Sequence, residues 1–283
     1  VPRFVLESAL NILQGLASVV GIKRPLRPVK PRNLVHPLQA FGYRYAMRLL
    51  DLLVNHGLLD ADQIQTICDF GAGTGGPTLA LCDFFKCPMR NLTALESYAP
   101  QVRMLQALLP EAQIYDGDGL DWLSCYHQTY DLITAFMLGP DDENHQLASH
   151  FLNEAISCLK PNGKLIIGSD VATMQGVLSI VRKMTELRCD WLIPDIDAVL
   201  PVTVVIAKES DPIANNGCEN IILPEPVVIK CSVPDAQHRW ETETYCLSTA
   251  FEKAYLQATI DAFIFQAPEH PAIPVMQALL ATA

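Results

Sequence analysis

The sequence contains no Cys-x-x-Cys, no uninterrupted run of 18 apolar residues, and fewer basic than acidic side chains, 20 against 31. The first absence removes the usual spacings of zinc ribbons and dithiol redox centres. Cys82 and Cys87 are separated by four residues and have neither a second pair nor clustered histidines, so no metal site is expected. The nine cysteines are odd in number, and Cys68 and Cys158 lie in apolar stretches as core residues do. That pattern points to reduced thiols and a cytoplasmic protein. The second absence leaves no candidate membrane span. Val1 to Gly21 is moderately apolar but carries Arg3, Glu7, Asn11 and Gln14, and it lacks the basic leader of a secretory signal. The chain begins at valine, so a leader removed before it stays open.

The third absence, of basic charge, leaves a formal net charge of −11. Such a field repels a phosphate backbone and argues against nucleic acid as the partner. One segment is an exception. Residues 22–38 hold Lys23, Arg24, Arg27, Lys30 and Arg32 with no acid among them, either as a solvated, proline-rich connector or as a docking patch for an anionic or macromolecular substrate. No internal repeat or low-complexity tract appears. Half of the 283 residues are hydrophobic, enough for a deep core in one large α/β domain with additions.

The most informative segment is Ile67-Cys-Asp-Phe-Gly-Ala-Gly-Thr-Gly-Gly76. An apolar run ends at Asp69, and Gly71, Gly73 and Gly75 follow at alternate positions. A strand that bends sharply into a helix needs residues without side chains, and its exposed amides can then approach a ligand closely. Glu96 closes the next apolar run, 21 residues beyond Gly75. A carboxylate at the tip of a second strand suits the two hydroxyls of a ribose. The pattern is that of a nucleoside-cofactor enzyme. Dinucleotide sites space their glycines as Gly-x-Gly-x-x-Gly, whereas here they alternate and follow Asp69. An acid there is awkward for a pyrophosphate and acceptable beside an ammonium or sulfonium.

From 64 to 170, short apolar runs alternate with helical stretches. Strands are expected near 65–70, 92–96, 112–115, 131–137 and 164–169, with helices near 77–86, 98–109 and 143–159 and another over 171–187. This βα repeat implies a mostly parallel sheet covered on both faces. Helices are expected over 4–20 and from about Leu38 to His56, with Gly57 as terminator. Val202 to Ala207 and Pro226 to Cys231 read as strands, either an antiparallel pair ending the main sheet or, for one of them, the start of an appended layer. Residues 248–266 read as a helix, with a short terminal helix after it.

The chain resembles class I S-adenosylmethionine-dependent methyltransferases. Asp69-Phe-Gly71-Ala-Gly73-Thr-Gly75 resembles their first motif, Glu96 their ribose-binding acid, and Gly117-Asp118-Gly119 their adenine-side loop. Asp131 to Met137 is similar to their fourth-strand segment, and Leu159 to Ile167 to the approach to the fifth. The resemblance covers roughly 64–170. It implies a Rossmann-like, seven-stranded, mostly parallel sheet. Three parts follow: a helical lead-in and substrate lid at 1–60, a cofactor-binding core at 61–210, and a C-terminal extension at 211–283 that completes the sheet or caps the substrate. It implies S-adenosylmethionine as cofactor, with Gly71, Gly73 and Gly75 passing under the methionine part. Asp69 orients the loop or meets the amino group through water, Glu96 accepts from the ribose, and Asp118, with Gly119 beside it, accepts the adenine amino proton. Tyr98 and Leu120 are candidate adenine walls.

A sulfonium carries an activated methyl group, so alignment and exclusion of water suffice and no triad or metal is required. Where a base is used, His36, Tyr43, Tyr45, His145, His150 and His238 are candidates by residue type. After the fourth strand the chain reads Met137-Leu-Gly-Pro140, unlike the Asn/Asp-Pro-Pro-Tyr/Phe of adenine- and glutamine-methylating enzymes, and no Pro-Cys nucleophile marks cytosine chemistry. The expected acceptor is therefore oxygen or nitrogen of a small molecule. A protein or RNA acceptor, and an inactive cofactor-binding scaffold, are the alternatives. Phe41 and Tyr43 are candidate pocket residues of the lead-in, and a homodimer is the other way to cover its apolar face.

Overall fold

The computed structural model describes residues 34–137, 145–184, 187–208, 217–234 and 240–282. The helix expected at 4–20, the basic run from Lys23 to Arg32 and His238 lie outside the described residues.

Seven strands form the main sheet: β1 (Ile67–Phe70), β2 (Leu92–Glu96), β3 (Gln113–Asp116), β4 (Tyr130–Phe136), β5 (Leu159–Ser169), β6 (Leu187–Leu192) and β7 (Val202–Lys208). Their order is β3-β2-β1-β4-β5-β7-β6. β1 to β5 are mutually parallel, and β7 lies antiparallel between β5 and β6. The order reverses at β1, with β2 on one side and β4 on the other, so a crevice opens where their C-terminal ends diverge.

Alternation along the strands sorts side chains onto two faces. Ile67, Leu132, Ile166 and Val205 join one buried cluster, and Cys68, Ile133, Leu165, Ile167 and Val204 the other. The first face is covered by α1 (Pro37–Asn55), α2 (Gly76–Phe85), α3 (Ala99–Leu108) and part of α7 (Ala250–Gln266). The second is covered by α4 (Gly119–Ser124), α5 (His145–Cys158) and α6 (Val171–Val181). Pro37 starts α1, where its missing N–H costs nothing, and Gly57 at φ 72° ends it as the sequence implied.

Three elements depart from expectation. The helix expected over 171–187 stops at Val181, and Leu187–Leu192 is the edge strand β6. Its Leu187 and Cys189 are buried while Arg188 between them is exposed, a period of two that a helix cannot serve. α4 is only six residues long and leaves too little periodicity to be seen. Val202–Lys208 does join the main sheet, but one place in from the edge, antiparallel to both β5 and the edge strand β6. The 226–231 strand instead begins a separate hairpin of β8 (Val228–Pro234) and β9 (Trp240–Cys246). All seven main-sheet strands thus lie between residues 67 and 208. The C-terminal part adds the hairpin, α7 and α8 (Ala272–Thr282), joined by a small cluster around Leu256, Ile260 and Met276.

Candidate active site

At the end of β1 the three alternate glycines all take left-handed backbone angles, with φ 66° at Gly71, 56° at Gly73 and 85° at Gly75. Side chains are strained there whatever the space. At Gly75 the space is missing too, since a Cβ would lie 2.8 Å from Leu105 Cδ2. The loop is laced to its neighbours. Ala72 N–H donates to Leu95 O at 3.0 Å, Gly73 N–H to Glu96 Oε2 at 2.8 Å, and Gly117 N–H to Glu96 O at 3.2 Å. Glu96 Oε1 accepts from Tyr98 N–H at 2.8 Å. The carboxylate is therefore fixed by one backbone donor per oxygen, and each oxygen keeps a lone pair for a further donor such as a ribose hydroxyl.

Asp118 caps α4, its Oδ1 accepting from Leu120 N–H at 2.9 Å. Gly119 lies over Phe70, where a Cβ would come within 2.6 Å of the ring. Tyr98, 61% exposed, stands beside Glu96, and Leu120 is half-buried. Asp69 sits beneath the loop, 1% exposed, and accepts from Thr78 Oγ1 and Thr134 Oγ1, each at 2.6 Å. Burial pushes its carboxyl up to about 6, and the Glu96 charge adds to this, against the two hydroxyl bonds. Asp69 thus ties β1 to β4 and to the first turn of α2, and both its oxygens are engaged within the frame.

The lead-in is part of this frame. Gln39 Nε2 donates to Thr74 O at 2.8 Å, fastening α1 to the glycine loop. Two glycines allow the approach: a Cβ on Gly42 would lie 2.7 Å from Pro77 Cδ, and one on Gly76 would overlap Gln39 O. Gln39, Thr78 and Thr134 were not singled out from the sequence. Only Thr78, three residues past the last loop glycine, left a local signal.

The candidate bases are dispersed. Tyr43 donates to Asp83 Oδ2 at 2.8 Å, two turns along α2 from the loop. His36 is buried at the start of α1, 2.8 Å from Gln266 Nε2 and edge-on to Phe265, and burial lowers its pKa. His150 is exposed on α5 and pairs with Glu154 at 3.5 Å. His145 opens α5, its side chain outside the described residues. Tyr45, by contrast, lies close enough to Asp69 for that charge to oppose its ionisation. Phe41, the other lead-in candidate, packs between Tyr45, Phe251 and Tyr255.

Among the described residues, Asp170, Cys246 and Glu252 bring possible metal-ligand atoms together just past β5. Both carboxylates already serve backbone donors. Asp170 Oδ1 accepts from Thr173 N–H at 2.9 Å, while Glu252 accepts from Val171 N–H and Thr249 N–H, each at 2.9 Å. The arrangement caps α6 and α7 together and seats the first turns of α7 near the C-terminal end of β5.

No family model matches the chain. A stretch of 94 residues is 34% identical to ribosomal RNA small subunit methyltransferase G of Acholeplasma laidlawii, covering 32% of this chain and 40% of that protein. Among solved structures, the mitomycin 7-O-methyltransferase MmcR is similar at 17% identity and a TM-score of 0.45, over 60% of this chain and 55% of that one. A Klebsiella pneumoniae protein provisionally assigned as an O-methyltransferase is similar at 15% identity and a TM-score of 0.49, over 72% and 99%. DesVI of Streptomyces venezuelae is similar at 14% identity and 0.38, over 78% and 84%. The chain thus spans less than half of the curated relative and about half of MmcR. Its own sheet, five parallel strands followed by antiparallel β7 and then β6, is a Rossmann-like α/β fold. Among the described residues no helix is long and apolar enough to cross a membrane.

Proposed function

We propose that the chain is an S-adenosylmethionine-dependent methyltransferase that methylates oxygen or nitrogen of a small molecule. The observation that carries this reading is the bond from Gly73 N–H to Glu96 Oε2, which ties the glycine loop to the strand-two acid at the C-terminal ends of β1 and β2. The residues fit the cofactor. Gly71, Gly73 and Gly75 clear the backbone for the methionine part, and Glu96 takes the ribose hydroxyls. Asp118, Gly119, Tyr98 and Leu120 line the adenine side. When bound, the cofactor supplies a methyl group already activated by the sulfonium. The chain has to bind, orient and exclude water around it, with no demand for a nucleophile or a metal.

The formal net charge of −11 and the helices flanking the core favour a small acceptor. The 94-residue likeness to a ribosomal RNA methyltransferase favours RNA as the second reading. Incubation with methyl-labelled S-adenosylmethionine and parallel panels of small phenols and amines or of structured RNA separates them. Label is expected in the small molecules. Label in RNA alone would replace this reading with the second. Cofactor binding with no transfer to either panel would favour a scaffold.

A further inference from the structure

Two thiols from separate segments meet at the outer edge of the main sheet. Cys189 and Trp191 lie two residues apart on the edge strand β6 and so share one of its faces. The turn that begins at Gly217 lies against that face, and Trp191 Nε1 donates to Cys218 Sγ at 3.3 Å. Gly217, at φ 82°, brings the turn so close to β6 that a Cβ there would overlap Cys189 O. Cys189 S–H in turn donates to the Cys218 sulfur. Both are reduced thiols, buried in one cluster with Leu187 and Leu223. Two sulfurs in hydrogen-bond contact, on segments whose backbones also touch, are placed for a bridge.

Its donors set this pair apart from the other buried cysteines. The bond from Cys189 brings the Cys218 thiol down to about 7 against its burial, and Trp191 N–H and the Arg182 charge act with that bond. The same bond pushes the Cys189 thiol up. At Cys68, Cys87, Cys158 and Cys246 burial prevails and raises the thiol. The cover over the pair is thin. Gly217 and Glu219, on either side of Cys218, are exposed. Arg182 at the end of α6 holds the turn down, Nε donating to Cys218 O at 3.2 Å and Nη2 to Ile221 O at 2.8 Å. The turn belongs to no helix or strand, and its local opening uncovers both sulfurs.

We propose that Cys189 and Cys218 are a dithiol modification site, which hydrogen peroxide oxidises to a disulfide that staples the turn from Gly217 to Leu223 onto β6. The Cys218 thiolate attacks one peroxide oxygen. An S–O bond forms, the O–O bond breaks, and the departing hydroxide takes up a proton and leaves as water. The Cys189 sulfur then attacks the Cys218 sulfenic acid. An S–S bond forms as the S–O bond breaks, and the Cys189 proton leaves with that oxygen as a second water. The thiols give up two electrons, which reduce the peroxide. The staple closes a loop of about 29 residues that contains β7, the strand between β5 and β6.

The test treats the folded full chain with hydrogen peroxide at a dose that oxidises the exposed Cys125. Remaining thiols are blocked with N-ethylmaleimide, and peptides are mapped by mass spectrometry with and without dithiothreitol. Wild type is expected to give a linked Cys189–Cys218 peptide, lighter by two hydrogens and lost on reduction. Once oxidised it should melt roughly 7–14 °C higher, as expected for a loop of this length. Cys189→Ser should stop at a Cys218 sulfenic acid that dimedone traps, whereas Cys218→Ser should leave Cys189 as a thiol. Neither variant should gain melting temperature on treatment. The proposal is overturned if wild type keeps both residues as thiols at that dose, or if the linked peptide forms only in urea. The wild-type map decides this even where a variant fails to fold.

Discussion

Replacing Gly76 with alanine puts a methyl carbon where the α1 backbone already lies. The new Cβ would overlap Gln39 O and sit 2.9 Å from Gln39 Cα. Neither is the free end of a flexible side chain, so the strain is relieved only by moving α1 away from α2. Overpacking of this kind costs about 1–3 kcal/mol. A displaced α1 also gives up the 2.8 Å bond from Gln39 Nε2 to Thr74 O, worth about 1 kcal/mol. Together they predict a loss of about 2–4 kcal/mol, which for a chain of this size lowers the melting temperature by roughly 4–16 °C. Gln39→Ala is the control. It removes the bond without the clash, so its melting temperature should fall by only about 2–4 °C. Thermal unfolding measures both, and titration with S-adenosylhomocysteine reports whether the loop has moved. A Gly76→Ala protein that melts and binds like wild type would refute the seating of α1 on the glycine loop.

Glu96→Ala should weaken S-adenosylhomocysteine binding by roughly tenfold or more, because a charge-assisted bond is lost and the Gly73 and Tyr98 amides lose their acceptor; unchanged affinity in calorimetry would reject the ribose role. Asp69 carries a carboxyl raised from 3.8 to about 6, so between those values the folded state holds more protons than the unfolded one and stability declines as pH rises, by about 3 kcal/mol at most. Urea midpoints between pH 4 and 7 should show that decline in wild type relative to Asp69→Asn, and parallel curves would contradict it. Tyr43→Phe should cost about 1 kcal/mol through its bond to Asp83 and leave methyl transfer unchanged; a large loss of kcat would restore Tyr43 as a base.

The parallel half of the sheet was legible because its signals are local. The glycines that turn β1 into α2 sit at alternate positions within five residues, and Glu96 closes an apolar run. β6 was misread although Leu187-Arg-Cys-Asp-Trp-Leu192 alternates, because only the short, mostly polar stretch from Arg182 to Glu186, without glycine or proline, separates it from the apolar run of α6. The role of Asp69 was half legible. Its position implied that it orients the loop, but Thr134 is 65 residues away and reaches it only through the pairing of β1 with β4. The packing of the C-terminal helix was the least legible. Phe41 and Tyr255 lie far apart in the sequence, and nothing in either segment tells that α7 folds back to place the second beside the first. The bond from Val171 N–H at the start of α6 to Glu252 of α7 does that, and a bond across 81 residues leaves no mark on local spacing.

Calorimetric titration with S-adenosylmethionine and S-adenosylhomocysteine tests the central claim most directly. The account predicts that both bind at one site per chain and that NAD does not compete with them. If neither binds to the folded protein, the glycine loop and Glu96 are no more than a strand-to-helix turn, and the methyltransferase reading is wrong.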